Sequence, residues 1–300
     1  MRIILIVLAV IFAAAAPCGL KAGATSPAYR EEILQYRGQR EAALKADDGW
    51  LTVAGLSWLE PGSNGAGSAE GSGVRLPAKA PARVGVFVLT QGEVTFTAVE
   101  SAHVSSRGAP LGTQPVVAPR GDEDALAVGD LRMFVIHRGD RFGIRLRDLK
   151  SAPRQQFTGL HYFPIRPEYR VRAKFTPYDP PRTVPVPNVL GQSPEMESPG
   201  YVTFAMRGRS LRLEPVYEDE EKRDLFFIFK DTTSRDSTYH GGRFLHADLP
   251  ENGFVTIDFN KAYNPPCAFT DFATCPLPRK ENQLPVRIEA GELAYHGPTR

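Results

Sequence analysis

The residues best suited to chemistry are concentrated near the C-terminal end of the chain, between Asp231 and Glu281. This stretch reads DTTSRDSTYHGGRFL, then a short apolar segment, then DFNKAYNPPCAFTDFATCPLPRKEN. It is rich in acid, amide, tyrosine, histidine and arginine side chains, and its glycines and prolines impose unusual backbone conformations. We therefore expect any binding or catalytic site to lie here.

A polar pair lies on the predicted strand Phe254 to Asn260. Because strand side chains alternate between two faces, Asp258 and Asn260 point away from the apolar residues between them. Asn264 follows in a turn that two prolines stiffen, so the three polar groups form one candidate ligand-binding cluster. The structural alternative is that these side chains cap backbone groups in an irregular loop, as Asx residues often do.

Arg243 lies inside an otherwise apolar predicted strand, directly after Gly241 and Gly242. A buried arginine needs a partner, and its planar guanidinium fits a carboxylate or a phosphate with two hydrogen bonds. One prediction is that Arg243 and the nearby Tyr239 converge with the Asp258–Asn260 pair at one place and hold a small polar or anionic ligand. The alternative is a structural ion pair with a neighbouring carboxylate, which the sequence offers at Asp231, Asp236 and Asp258.

His240 is the candidate general base of this stretch, with Asp231 or Asp258 as its acid–base partner. Asp231 follows the apolar run Phe226 to Phe229, which is typical of a central strand buried on both faces. Hydrolase chemistry is therefore the alternative to ligand binding, and the sequence leaves open whether the protein is an enzyme. The structural alternatives are a surface histidine and an ordinary Asp-Thr-Thr-Ser turn.

Several classes of site are absent from the sequence. It contains no G-x-S-x-G nucleophile motif, no H-E-x-x-H motif and no phosphate-binding or dinucleotide-binding glycine pattern. We accordingly predict no metal and no cofactor. The formal net charge of +2 gives no reason to expect nucleic acid as a partner. A small molecule is the expected ligand, and the sequence identifies no partner protein.

The N-terminal residues resemble an export signal. Arg2 precedes the apolar run Ile3 to Ala16, which is too short to span a bilayer comfortably, and Ala22-Gly23-Ala24 provides small residues for cleavage. We expect cleavage near Ala24, a periplasmic or secreted location, and no transmembrane segment in the mature chain. Lipidation of Cys18 and an uncleaved anchor are the alternatives.

The remaining cysteines, Cys267 and Cys275, form an even pair in a chain that we expect to reach an oxidising compartment. Their separation exceeds that of a C-x₂₋₄-C zinc motif. The sequence therefore predicts a disulfide between them, which would stabilise the fold by roughly 2–3 kcal/mol in the chain-entropy model.

The elements that must position these residues are mostly strands. An amphipathic helix is predicted from Ser26-Pro27 to about Lys45, within an N-terminal segment 25–49. Short apolar runs separated by turn residues then predict a β unit over 50–150 and a second, of about eight strands, over 151–300. The strands predicted in the second unit include 169–175, 183–190 and Leu284–Ala290. We predict an all-β fold: two packed β-sandwich or barrel units with one N-terminal amphipathic helix, and the candidate site in the second unit.

The first of these units is loosely similar to forkhead-associated domains, which bind phosphothreonine. The similarity lies in its order of strand, glycine-rich loop, V-x-L-P strand and hairpin. Gly67-Ser68 stands where that family typically has Gly-Arg, so phosphopeptide binding is not expected.

Five sequence blocks resemble a bacterial and archaeal family known only as domain of unknown function 1684. They are GLSWLEPG at 55–62, GIRLRD at 143–148, F-x-G-L-x-Y-F-P at 157–164, and the two C-terminal blocks quoted above. The resemblance extends from Trp50 to about Glu292, with Arg235 in a turn where glycine is expected. It implies no activity, so ligand binding, the hydrolase alternative and a purely structural envelope protein are weighed on the residues alone.

Overall fold

The computed structural model describes residues 25–297. It is 40% strand and 16% helical, which confirms the predicted all-β class with an N-terminal helix. The predicted signal peptide, its cleavage near Ala24 and the alternative lipidation of Cys18 all concern residues outside this range.

Helix α1 (Pro27–Lys45) begins where the sequence predicts. The Ser26 hydroxyl accepts a hydrogen bond from Tyr29 N at 3.2 Å, and Pro27 occupies the first helical position. The helix buries Tyr29, Ile33 and Leu44, which recur along one face at helical spacing.

Residues 53–148 form two sheets with one core between them. Their strand orders are β1-β11-β10-β9-β6-β7 and β3-β2-β4-β5-β8. Phe87 and Phe96 of the second sheet and Met133 and Leu146 of the first belong to the same buried cluster, so the sheets pack as a sandwich. The strands are β1 Val53–Trp58, β2 Gly62–Gly67, β3 Val74–Arg75, β4 Gly85–Thr90, β5 Glu93–Ala98, β6 Ser105–Ser106, β7 Ala109–Pro110, β8 Val116–Val117, β9 Leu126–Val128, β10 Leu131–Arg138 and β11 Arg141–Asp148.

A short helix, α2 (Ala152–Gln155), leads into the second set of strands. These form a four-stranded sheet of order β14-β13-β12-β17 and a two-stranded hairpin, β15-β16. The strands are β12 Arg170–Pro185, β13 Glu195–Met206, β14 Arg209–Leu213, β15 Asp224–Phe229, β16 Arg243–Asp248 and β17 Phe254–Asp258.

The hairpin is buried on both faces, as the apolar run Phe226–Phe229 predicts. Phe227 and Phe229 pack in the core that the hairpin shares with the four-stranded sheet. Phe226 and Ile228 pack in a separate cluster on its other side, together with Cys275. The end of β15 is therefore held rigidly within the fold.

The prediction of about eight strands in this half is wrong in two places. The predicted strands 169–175 and 183–190 join into the single β12, whose prolines are accommodated by a break in its pairing with β13 between Pro177 and Arg182. The segment Leu284–Ala290, which the sequence predicts as a strand, is irregular, although it runs beside the chain that follows β15. Its backbone makes only isolated hydrogen bonds with that chain. Ile288 N donates to the Asp231 side chain and not to the backbone of a strand.

Candidate functional site

Arg243 and Asp231 form a buried ion pair. Arg243 Nη2 lies 3.0 Å from Asp231 Oδ1, and each side chain is 1% exposed. The guanidinium also donates to the backbone oxygens of Ile288, at 3.0 Å, and Ala290. Burial lowers the pKa of Arg243, and the charge of Asp231 opposes that shift. Arg243 therefore has a neighbouring carboxylate as its partner, and of the three carboxylates offered by the sequence it is Asp231.

Gly242 explains how Arg243 reaches this position. Its φ is +102°, and a Cβ atom there would lie 2.6 Å from Phe229 O. Only glycine accommodates that close approach, which brings the start of β16 against the end of β15.

Asp231 organises the turn that follows β15. Its carboxylate accepts hydrogen bonds from Thr233 Oγ1 at 2.9 Å, Thr233 N at 3.2 Å and Ile288 N at 2.7 Å. The Thr233 hydroxyl is also 2.9 Å from that of Thr238. Asp231 therefore fixes both the turn and the segment near Ile288 that lies beside it.

Asp258 and Asn260 lie side by side but face helix α1. The Tyr29 hydroxyl is 2.8 and 2.9 Å from the two Asp258 carboxylate oxygens, and Asn260 Nδ2 is 3.1 Å from Asp258 Oδ1. Asn260 also exchanges hydrogen bonds with the backbone of Arg166, at 2.9 and 3.1 Å. This pair caps backbone groups and anchors α1, which is the structural alternative that the sequence offers.

The expected convergence of Arg243 with the Asp258–Asn260 pair is not observed. Within residues 25–297, no hydrogen bond or ion pair joins Arg243 to either residue. The physical reason is that each charge already has a partner, Asp231 for Arg243 and the Tyr29 hydroxyl for Asp258. The candidate residues form two separate centres.

The other predicted residues also contact protein groups. Asn264 donates through its backbone N to Glu292 Oε2 at 2.8 Å and through Nδ2 to Leu293 O at 2.7 Å. The Tyr239 hydroxyl is 3.3 Å from Cys267 O, and its ring lies 4.5 Å from that of the exposed His240. In the described chain His240 has no hydrogen bond to a carboxylate, so the acid–base arrangement of the hydrolase alternative is not assembled.

Sequence reasoning missed the ion pair between Arg40 and Glu292. Arg40 Nε is 3.0 Å from Glu292 Oε1, whose side chain is 1% exposed, and burial raises the pKa of that carboxyl. One signal was available: Arg40 continues the stripe of Tyr29, Ile33, Tyr36 and Leu44 along the buried face of α1. A charge on that stripe needs a buried partner.

An open cavity lies beside the Asp231 turn. Its volume is about 400 Å³, and one wall is the chain after β15 while the other is the segment Gln283 to Pro285. Leu284 N donates to Lys230 O at 2.7 Å and Thr232 N donates to Val286 O at 3.0 Å, so the two walls are joined by backbone hydrogen bonds. The lining residues are Lys230, Asp231, Thr232, Ser234, Arg235, Gln283, Leu284 and Pro285.

The cavity is lined by two cations that have no ion pair of their own in the described part of the chain. The carboxylate of Asp231 is neutralised from behind by Arg243. Neither Lys230 nor Arg235 has an ion pair among residues 25–297. The side chains of Thr232 and Gln283 likewise have no hydrogen-bond partner in that range. The arrangement can attract an anion and offer it several donors.

Cys267 and Cys275 are adjacent free thiols in the structure. Cys275 Sγ accepts a hydrogen bond from Cys267 N at 3.1 Å. The hydrogen bond between the two thiols lowers the pKa of Cys267, while the same contact and burial raise the pKa of Cys275. The pair is close, and the predicted disulfide stays a prediction.

No helix in residues 25–297 combines the length and the hydropathy needed to cross a bilayer. The same residues contain no group of three or more His, Cys, Asp or Glu side chains arranged to hold a metal ion.

Comparison with known proteins supports the resemblance noted in the sequence. Residues 155–293 match the family described as "Protein of unknown function (DUF1684)". The blocks at 55–62 and 143–148 lie outside the matched residues. The chain is 34% identical to an uncharacterized protein of Haloarcula marismortui with a solution NMR structure, over 47% of this chain and 78% of that one, with a TM-score of 0.40. No curated protein matches significantly.

Proposed function

We propose that this chain, which belongs to the DUF1684 family, is an exported protein that binds a small anionic ligand in its C-terminal half. The proposed site is the cavity between the Asp231 turn and the segment Gln283 to Pro285. The apolar N-terminal run and the small residues near Ala24 support export.

The observation that carries this proposal is the pair of unpaired cations, Lys230 and Arg235, on an open cavity of about 400 Å³. That volume lies within the range of small-molecule sites. Among the described residues, the only carboxylate lining the cavity is already bound by Arg243. A bound anion would supply the missing negative charge.

The chemistry of the lining indicates the class of ligand. Arg235 can donate two parallel hydrogen bonds to a carboxylate or phosphate, and Lys230 acts as a point charge. The Thr232 hydroxyl and the Gln283 amide can bind polar groups of the same ligand. The site therefore fits a small carboxylate or phosphate compound with further polar substituents.

The proposal includes a disulfide between Cys267 and Cys275. In an oxidising compartment, two adjacent thiols form a disulfide, with loss of two protons and two electrons to the cellular oxidant. A bond between Cys267 and Cys275 would fix the chain that contacts Tyr239, near the start of β16.

Titration calorimetry of the mature protein with inorganic phosphate and with malonate tests the proposal. We expect one of the two probes to bind, and Lys230→Gln/Arg235→Gln to weaken its binding at least tenfold, because a hydrogen bond to a charged group contributes about 1.5–3 kcal/mol. The matched control is Arg75→Gln/Arg83→Gln, which removes two exposed cations from the N-terminal sandwich. Affinity that is unchanged in the cavity variant, or reduced equally in the control, would contradict the site.

A further inference from the structure

The four-stranded sheet has an outward face rich in positive charge. By strand alternation, Arg170, Arg172 and Lys174 of β12 point outward, and all three are exposed. Val171 and Ala173, between them, belong to the buried core on the other side. The side chains of the basic row recur about every 7 Å, which is two residues along a strand.

The neighbouring strands extend this face. They place Asp258 of β17 opposite Arg170, where its carboxylate is buried and accepts a hydrogen bond from the Tyr29 hydroxyl. Thr203 of β13 lies opposite Lys174, and Arg212 of β14 lies opposite Thr203. On the other side, Thr256 of β17 lies opposite Arg172. The resulting surface is a two-dimensional array of cations and hydroxyls.

Part of this charge has no partner. Arg170 is 3.5 Å from Glu32 and Arg212 is 3.6 Å from Glu214. Within residues 25–297, Arg172 and Lys174 have no ion pair, although they occupy the middle of the face.

Aromatic rings lie beneath two of the guanidinium groups. Arg172 Cζ is 3.4 Å from the centroid of the Phe254 ring, and Arg212 Cζ is 3.8 Å from that of Tyr201. Such stacking keeps the guanidinium edges free to donate while the planes lie on the sheet. It also covers the ring faces, so these aromatics do not offer a platform for nucleobases or sugars.

The face adjoins the beginning of helix α1. Arg170 Cζ lies 5.1 Å from the centroid of the Tyr29 ring, one turn from Pro27, and Arg170 pairs with Glu32 of the same helix. The chain that precedes Thr25 therefore joins the fold beside the basic row. In the sequence that chain is the apolar leader with its cleavage residues and Cys18.

We propose that this face docks on the anionic headgroups of a lipid bilayer. An array spread over four strands can meet a plane, and phosphate groups accept hydrogen bonds from guanidinium edges. Single-stranded nucleic acid and acidic polysaccharide are less suited, because their usual recognition relies on exposed aromatic faces or on a groove. The face also lies beside the point at which the leader joins the fold, so it would be turned toward the membrane from which an exported chain emerges.

Vesicle cosedimentation tests this inference, using the protein as recovered from an exporting host. Vesicles of phosphatidylglycerol and phosphatidylcholine are compared with vesicles of phosphatidylcholine alone, so that contacts made by a retained apolar leader are common to both. We expect Arg172→Gln/Lys174→Gln to reduce binding to the anionic vesicles about 30-fold, from the usual contribution of each basic residue near such a surface. Binding should also weaken as added salt shortens the screening length.

The matched control is again Arg75→Gln/Arg83→Gln, which changes the net charge by the same amount, and Lys174→Gln alone preserves the stacked Arg172. The control should bind like the wild-type protein, and Lys174→Gln should show a partial loss, about fivefold. Equal binding to neutral vesicles, equal loss in the control, or binding that survives in the double variant would each overturn the proposal. So would a double variant that loses affinity for single-stranded DNA or acidic polysaccharide while keeping it for anionic vesicles.

Discussion

Arg243 Nη2 donates a hydrogen bond to Asp231 Oδ1 over 3.0 Å, with 1% of either side chain exposed. Removing one partner leaves the other charge buried and unpaired, which usually costs about 3–5 kcal/mol. We therefore expect Arg243→Met and Asp231→Asn each to lower the free energy of unfolding in urea by that amount.

The double variant Asp231→Asn/Arg243→Met distinguishes the contribution of the ion pair to stability from that of ordinary side-chain packing. Its free energy of unfolding should fall by much less than the sum of the two single decreases, since neither charge remains buried alone. As a control, Lys222→Met breaks an exposed pair with Glu197 and should cost less than about 1 kcal/mol. Additive single losses would show that the ion pair does not hold the Asp231 turn in place.

The Tyr29 hydroxyl is the link between helix α1 and Asp258. Tyr29→Phe removes a donor to both carboxylate oxygens while preserving the ring. Asp258 Oδ1 keeps its hydrogen bond from Asn260, whereas Oδ2 loses its donor. A buried acceptor left without its donor typically costs about 1–3 kcal/mol, to be measured by denaturant unfolding. Tyr217→Phe is the matched control, because the Tyr217 hydroxyl has no hydrogen-bond partner in residues 25–297, and it should change stability by less than about 0.5 kcal/mol. Equal effects would contradict the anchoring role.

Tyr36 predicts a loss of stability at alkaline pH. Burial raises the pKa of its hydroxyl from 10.0 to about 12, and the hydroxyl donates to Lys261 O at 2.9 Å. Because the folded-state pKa is the higher one, the stabilisation is complete below pH 10 and is lost as the pH rises from 10 to about 12. Unfolding free energies measured across this window should fall less steeply for Tyr36→Phe than for the wild-type protein. Parallel pH profiles would show that Tyr36 ionises equally in both states.

The cysteine pair predicts unequal reactivity in the reduced protein. The pKa of Cys267 is lowered by its hydrogen bond with Cys275, and Cys267 is the more exposed of the two thiols. Brief alkylation followed by peptide mass spectrometry should label Cys267 several-fold faster than Cys275, because the thiolate is the nucleophile. Replacing Cys275 with serine should slow the labelling of Cys267. Equal labelling of the two thiols would contradict the assignment.

Local sequence signals predicted the elements well. Ser26-Pro27 predicted the start of α1, and the apolar run Phe226–Phe229 predicted a strand buried on both faces. The arginine at position 243 predicted an anionic partner, which the sequence left open as either a ligand or a neighbouring carboxylate. In each case the relevant physics acts within a few residues or depends on one side chain.

The choice of partners could not be read from the sequence. Three carboxylates could pair with Arg243, and only the close approach at Gly242 selects Asp231. The cavity is formed by two segments about fifty residues apart, and each of them alone resembles an ordinary turn. Its unpaired Lys230 and Arg235 are recognised only when the surroundings of every charge are known.

The bond between Tyr29 and Asp258 joins residues 229 positions apart, and that between Arg40 and Glu292 joins residues 252 apart. Helix α1 therefore gains these partners only after Asp258 and Glu292 have been synthesised. Contacts of such separation make folding slow. In the nascent chain α1 should stay undocked until Glu292 has emerged, which suits the proposed export, because a secretion channel threads unfolded chains.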